Sequence, residues 1–369
     1  MFATKEGTKL FAERALTNTN IHVNHFKDVF GLKLTSIGLG TYLGEPNEET
    51  DNKLKAAIKS AIRSRVINVI DTAINYRFQR SEKVIGATLT ELFNAGEISR
   101  ENVFISTKCG YIAPEQEKYY YNINEYIYEE IIHSNICRKE DIINGIHSMS
   151  PSFLEFQLEQ SLKNLKVEGI DLLYLHNAAE EQLEVVNRNE FYDKLVDVFI
   201  FFEKMRDIRR IKWYGLATWD SLRVLPNHPH YINLERVVAI AKEAGGADHG
   251  FKFVQLPVNF VYHQAISLKN QYVQNTPYTL MNAAQKLGIR VFTSAPLLEG
   301  ELLKIDKYPR FNNLNTVAQN AIQFARSAHP AIASTLIGMR SNEHLVENLD
   351  LAKYPLATPA EIEQAFKGL

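Results

Sequence analysis

Three ionisable residues each close a short apolar run. Val66-Ile67-Asn68-Val69-Ile70 ends in Asp71, Val103-Phe104-Ile105-Ser106-Thr107 ends in Lys108, and Leu172-Leu173-Tyr174-Leu175 ends in His176. Tyr76 follows Asp71 by five residues. Singly, such residues have ordinary explanations: a strand-end Asp often caps a turn, and a lone His is often a bonded structural residue. As a set they suit one chemistry. Hydride delivered to a carbonyl carbon leaves negative charge on oxygen, so an acid is needed beside it. A free phenol, with a pKa near ~10, is a poor acid at neutral pH, and a neighbouring ammonium lowers that value. A carboxylate fixes the ammonium, and a neutral imidazole can hydrogen-bond the carbonyl oxygen and orient it.

These residues need a scaffold that brings four distant positions together. Eight short runs, β-branched and poor in charge, read as strands buried on both faces: Ile37–Leu39, Val66–Ile70, Val103–Ile105, Leu172–Leu175, Tyr214–Leu216, Phe253-Val254, Val291-Phe292 and Thr335–Ile337. Amphipathic stripes lie between them, among them Leu54/Ile58/Ala61/Ile62, Val84/Ile85/Leu89/Leu92 and Leu154/Leu158/Leu162/Leu165. Ser150-Pro151 reads as a cap and first-turn proline for the last of these. The residues ending the runs recur at nearly even intervals, with one interval almost doubled. That metre predicts a single α/β domain over residues 1–369, a (β/α)8 TIM barrel whose strand ends converge on one mouth. The doubled interval holds Tyr111 to Met149, expected to be a lid-like insertion after strand 3. It carries Tyr111, Tyr119, Tyr120, Tyr121, Tyr126 and Tyr128 of the chain's 17 tyrosines, and Ile131-Ile132 and Ile142-Ile143 suggest short helical pieces.

Composition narrows the function classes. The 369 residues are 45% hydrophobic and 23% charged with a net charge of −2, and no basic stripe argues for nucleic acid. The two cysteines, Cys109 and Cys137, make neither a disulfide framework nor a zinc spacing. No His/Asp/Glu cluster with ligand spacing stands out, so no metal is expected. Neither a signal-peptide core nor a membrane-length apolar run is present, so the cytoplasm is the expected location. Nothing in the sequence addresses oligomeric state.

The run Asp71-Thr72-Ala73-Ile74-Asn75-Tyr76 resembles the D-T-A-x-x-Y signature of the aldo-keto reductase superfamily. Phe104-Ile105-Ser106-Thr107-Lys108 is similar to that family's lysine strand. Ser161-Leu162-Lys163-Asn164-Leu165, followed by Asp171 to His176, is similar to its S-L-x-x-L…D-x-x-x-x-H segment. The likeness runs from about Leu34 to Leu349. It implies the barrel, the tetrad Asp71, Tyr76, Lys108 and His176, and NADPH (NADP) as cofactor. Gln255 matches the residue that holds the nicotinamide amide. Gly338, Arg340 and Ser341, with Glu347 and Asn348, resemble the I-G-x-x-S…E-N segment that binds adenosine and its 2′-phosphate, where the planar Arg340 fork suits a phosphate.

Two departures fall on the nicotinamide. Gly215-Leu216-Ala217-Thr218 stands where the family usually shows G-x-S-N, leaving Thr218 as a partial substitute, and Ser294 stands where an aromatic ring is usual. The expected activity is NADPH-dependent reduction of an aldehyde or ketone, with a small-molecule carbonyl or alcohol as partner. The alternatives are an alcohol or sugar dehydrogenase running oxidatively, and a slow-turnover NADP(H)-binding regulatory subunit.

Overall fold

In the computed structural model, which describes residues 1–116, 122–311, 314–339 and 342–367, eight parallel strands close into a barrel. They are β1 (Ile37–Gly40), β2 (Val69–Asp71), β3 (Phe104–Cys109), β4 (Ile170–His176), β5 (Ile211–Ala217), β6 (Phe251–Pro257), β7 (Arg290–Ser294) and β8 (Ile332–Gly338). All eight expected strands are present, in chain order around the barrel, and β8 closes on β1 through Thr335–Gly338 paired with Ile37–Gly40. Helices follow the strands as the stripes predict. In Glu48–Arg63 the buried residues are Thr50, Leu54, Ala57, Ile58, Ala61 and Ile62. The helix Pro151–Leu165 begins at Pro151 with Ser150 at the N-cap position, as expected, but the Ser150 hydroxyl makes no capping bond and lies 3.0 Å from that of Ser152 instead.

The barrel interior is filled, largely by aromatic rings. Phe104 stacks on Phe292 with centroids 5.8 Å apart, and both pack on Phe253. Below them an antiparallel hairpin, Phe26–Val29 with Leu32–Thr35, inserts Val29, Leu32 and Leu34 against Val69, Leu172 and Phe253. This hairpin and the preceding helix Lys5–Asn18 plug the end of the barrel where the strands begin. The sequence reading, whose first element is the strand Ile37–Leu39, did not anticipate them. Asp171 ties this end together. It accepts hydrogen bonds from Ala3 N (2.7 Å), Ile105 N (2.9 Å) and the Arg100 guanidinium (2.7 Å), all buried. Among the described residues no helix is long and apolar enough to cross a membrane.

The insertion leaves β3 at the opposite end. Ile123–Tyr126 is α-helical and runs into a π-helical turn, Ile127–Ile132. Tyr126, Ile127 and Ile131 are buried in the main core, so this part is packed down rather than free. Ile142-Ile143, expected to be helical, instead forms a small antiparallel ladder with His147-Ser148. Asn144 and Gly145 between them have positive φ (52° and 69°), which makes a tight turn, and two β-branched residues before such a turn favour a strand. Tyr119, Tyr120 and Tyr121 lie outside the described residues.

Candidate active site

The barrel brings Asp71, Tyr76, Lys108 and His176 to one mouth. Register sets most of this: Asp71 on β2 pairs with Ser106 on β3, Lys108 on β3 pairs with Tyr174 on β4, and His176 closes β4. The Lys108 ammonium is buried. It donates to Asp71 Oδ2 (2.6 Å) and to the Thr72 carbonyl (2.7 Å). It also stands 4.7 Å from the centre of the Tyr76 ring. The other Asp71 oxygen accepts from Ser106 Oγ (2.7 Å) and Gln255 Nε2 (3.0 Å). His176 meets Tyr76 edge to face with centroids 6.0 Å apart.

Tyr76 reaches this position through an unusual turn. Arg77, Phe78 and Gln79 all have left-handed φ (53°, 56° and 67°), a conformation that costs non-glycine residues about 1 kcal/mol or more each. The surroundings over-determine it. Buried Arg77 donates to Glu45 O (3.0 Å) and to Asp51 Oδ1 (2.5 Å), and Gln79 Nε2 donates to Ala113 O (2.6 Å). The turn lets the chain enter the helix Arg80–Asn94 while leaving the phenol at the mouth.

Charge states follow from this geometry. Burial pushes the Tyr76 phenol up, and the pull of Lys108 does not fully offset it, so its pKa stays above the ordinary value. The depression expected from the lysine is present as a contribution but is outweighed. The phenol is therefore fully protonated at neutral pH. Burial alone would lower the Lys108 pKa, but Asp71 and Tyr76 hold it above its usual value. Burial, then the charges of Lys108 and His147, keep His176 well below the usual histidine range. The site is thus a charged Lys108–Asp71 pair, a neutral phenol and a neutral imidazole.

Two residues from the insertion's base support His176, and neither was among the expected site residues. His147 Nε2 meets the His176 carbonyl at 2.9 Å, and His147 Nδ1 meets Gln182 Nε2 at 3.1 Å. Gly110 has φ 122° and lies so close that a Cβ there would sit 2.5 Å from the His147 ring. The Tyr111 ring lies edge-on to both His176 (5.0 Å) and His147 (5.3 Å), with its hydroxyl bonded to Glu181 (2.6 Å) and Asn177 (3.2 Å). The Tyr density of the insertion and the glycine after β3 were the available signals.

The expected cofactor residues divide. Thr218 and Asn348 are buried, and Thr218 Oγ1 and Asn348 Oδ1 have no hydrogen-bond partner, as positions awaiting a ligand would. Gly338 is exposed at the end of β8 and meets nothing closer than a Leu43 methyl, so the chain itself does not require glycine there. Ser294 is half-buried, beside Pro257 at the end of β7. Two expectations fit less directly. The Gln255 amide nitrogen is committed to Asp71, and the Glu347 carboxylate accepts from Thr316, the residue that caps the helix Val317–Ser327. Arg340 and Ser341 lie outside the described residues. The donors left open suit a nicotinamide dinucleotide better than a metal, which none of them would ligate well. In the loop after β5, however, the fold does gather a His/Asp cluster that the sequence reading missed: Asp220, His228 and His230.

The Aldo/keto reductase family model matches residues 36–308. Among curated proteins, aldose reductase C of Dictyostelium discoideum is 39% identical over 99 residues, covering 27% of this chain and 28% of that protein. NADH-specific methylglyoxal reductase of Escherichia coli is 25% identical over 194 residues, covering 52% of this chain and 50% of the relative. The matches therefore span half or less of either relative. Among solved structures, an aldo/keto reductase of Klebsiella pneumoniae in complex with NADP and acetate superposes with TM-score 0.59 at 17% identity, covering 93% of both chains. A glycerol dehydrogenase of Gluconobacter oxydans does so with TM-score 0.59 at 16% identity, covering 94% and 95%. These last two likenesses concern the fold.

Proposed function

The chain belongs to the aldo/keto reductase family, and on that premise we propose that it reduces an aldehyde or ketone to the alcohol, with NADPH as hydride donor and Tyr76 as proton donor. The observation that carries the reading is the buried Lys108 ammonium, 2.6 Å from Asp71 and 4.7 Å from the Tyr76 ring, with a neutral His176 on the other side of that ring. Bound NADPH supplies a hydride to the carbonyl carbon. The protein's part is electrostatic and acidic. His176 orients the carbonyl oxygen by a hydrogen bond, and Tyr76 Oη gives its proton to that oxygen as charge develops there. The phenolate left behind is stabilised by Lys108, whose position Asp71 holds; Ser106 and Gln255 in turn hold Asp71. A phenol whose pKa is raised in the resting site keeps its proton until charge on the substrate oxygen draws it away.

Thr218, Ser294, Gly338 and Asn348 would hold the cofactor, and Arg340 would read its 2′-phosphate. The crystallised Klebsiella relative is a complex with NADP, whereas the Escherichia coli relative is by name NADH-specific, so both cofactors belong in the test. The experiment is aldehyde and ketone reduction followed by loss of NADPH or NADH absorbance, in wild type and Tyr76→Phe. The expected outcome is NADPH preference, and a fall of at least ~10²-fold in Tyr76→Phe with cofactor affinity nearly unchanged. Reduction by Tyr76→Phe near the wild-type rate would overturn the assignment.

A further inference from the structure

We propose that Asp220, His228 and His230 form a divalent transition-metal site on the rim of the barrel, built from none of the tetrad residues. All three stand in the segment between β5 and the helix Leu234–Gly245. One donor atom from each lies within 4.8 Å of the other two. The His228 and His230 rings are 5.0 Å apart and nearly perpendicular, and His228 Nδ1 accepts from the His230 backbone N–H at 3.2 Å. His230 Nδ1 is 3.2 Å from Asp220 Oδ1, and its Nε2 is 2.8 Å from Glu184 Oε1. Glu184 belongs to the neighbouring loop, after the short helix Ala178–Gln182 that follows β4, and holds the ring nitrogen of His230 opposite the one facing Asp220.

The surroundings favour a cation. Glu180 accepts the backbone N–H groups of Trp219, Asp220 and Ser221 at 2.8, 2.9 and 3.1 Å, which places a further carboxyl against Asp220. The nearby guanidiniums have other partners: Arg188 donates to the His228 carbonyl (2.9 Å), and Arg223 donates to Trp219 O and Gln264.

Two imidazoles with one carboxylate select zinc-like ions over magnesium or calcium, which prefer all-oxygen shells. Donors about 2.0–2.1 Å from zinc stand about 3.4 Å apart in a tetrahedron, so the trio draws in by about an ångström, within the reach of loop side chains.

The test is calorimetric titration of untagged, chelator-treated protein with zinc chloride at pH 7.5, repeated at pH 6.5 and with calcium chloride. One equivalent of zinc is expected to bind, several-fold more weakly at pH 6.5 because protons compete for imidazole ligands. Calcium should not bind at that site. His228→Ala and His230→Ala should each weaken zinc by ~10²-fold, and Asp220→Asn, which preserves shape, by ~10-fold or more. Unfolding midpoints of the metal-free variants report whether each still folds. The absence of saturable zinc uptake up to ~1 mM, equal binding of calcium, or unchanged zinc affinity in the folded Asp220→Asn and His228→Ala proteins overturns the proposal.

Discussion

Lys108→Met keeps the length of the side chain and deletes its charge, which separates the two tasks given to this residue. Lys108 and Asp71 are 1% and 4% exposed, so the substitution leaves a carboxylate that water reaches poorly. Removing one partner of a buried ion pair costs about 3–5 kcal/mol. Ser106 and Gln255 still donate to Oδ1, which places the expected loss near the lower end, about 3 kcal/mol. The Thr72 carbonyl also loses its donor. Adding Asp71→Asn removes the orphaned charge and should recover most of the stability, leaving about 1–2 kcal/mol for the unbonded carbonyl. Activity should behave differently. Without the ammonium the phenolate formed in proton transfer is unsupported, and reduction should fall ~10²- to 10⁴-fold in both the single and the double variant. Urea unfolding and NADPH-linked aldehyde reduction measure the two quantities on the same preparations. The reasoning is refuted if Lys108→Met unfolds within ~1 kcal/mol of wild type, or if the double variant regains activity along with stability.

Tyr111→Phe keeps the ring against His176 but loses the bonds to Glu181 and Asn177; substrate KM should shift about three- to tenfold with NADPH affinity unchanged, and kinetics identical to wild type would remove Tyr111 from the pocket wall. Asp171→Asn strips the charge partner from buried Arg100, and a loss of about 3–5 kcal/mol in urea unfolding is expected; a loss under ~1 kcal/mol would show that the barrel floor does not depend on the pair. Burial holds the His25 and His147 pKa values at about 3 and about 4, below the 6.5 of an unfolded histidine. Between those values the unfolded chain binds more protons, so stability is complete above pH 6.5 and is lost as pH falls toward 4, by about 1.4 kcal/mol per unit for each histidine. Urea midpoints at pH 7.5 and 5 check this, and His147→Gln should shrink the difference by about one histidine's share.

The sequence alone determined the barrel, because strands buried on both faces must read as uninterrupted apolar runs and helices between them must show one apolar stripe. It also determined which side chains meet. Parallel strands put all their C-terminal ends at one mouth, so Asp71, Lys108 and His176, each closing a run, had to converge there, with Tyr76 in the loop above. What lay beyond it depended on contacts between segments far apart in the chain. The hairpin Phe26–Val29/Leu32–Thr35 is too short to show a period, and its role as plug comes only from the burial of Val29, Leu32 and Leu34 in one cluster with Phe104, Phe253 and Phe292. Gln255 lies 184 positions from Asp71, and only strand tilt and register bring its amide to that carboxylate rather than leaving it free. The left-handed turn at Arg77, Phe78 and Gln79 opposes local preference and exists because Asp51, Glu45 and Ala113 hold it from outside. The insertion's place after β3 and its tyrosines suggested a lid; only the structure shows that Tyr126, Ile127 and Ile131 pack onto the core and that His147 buttresses His176. The direction of the Tyr76 pKa shift was decided the same way: a neighbouring cation can be read from residue types, but desolvation is a property of the packed surroundings, and here it is the larger of the two.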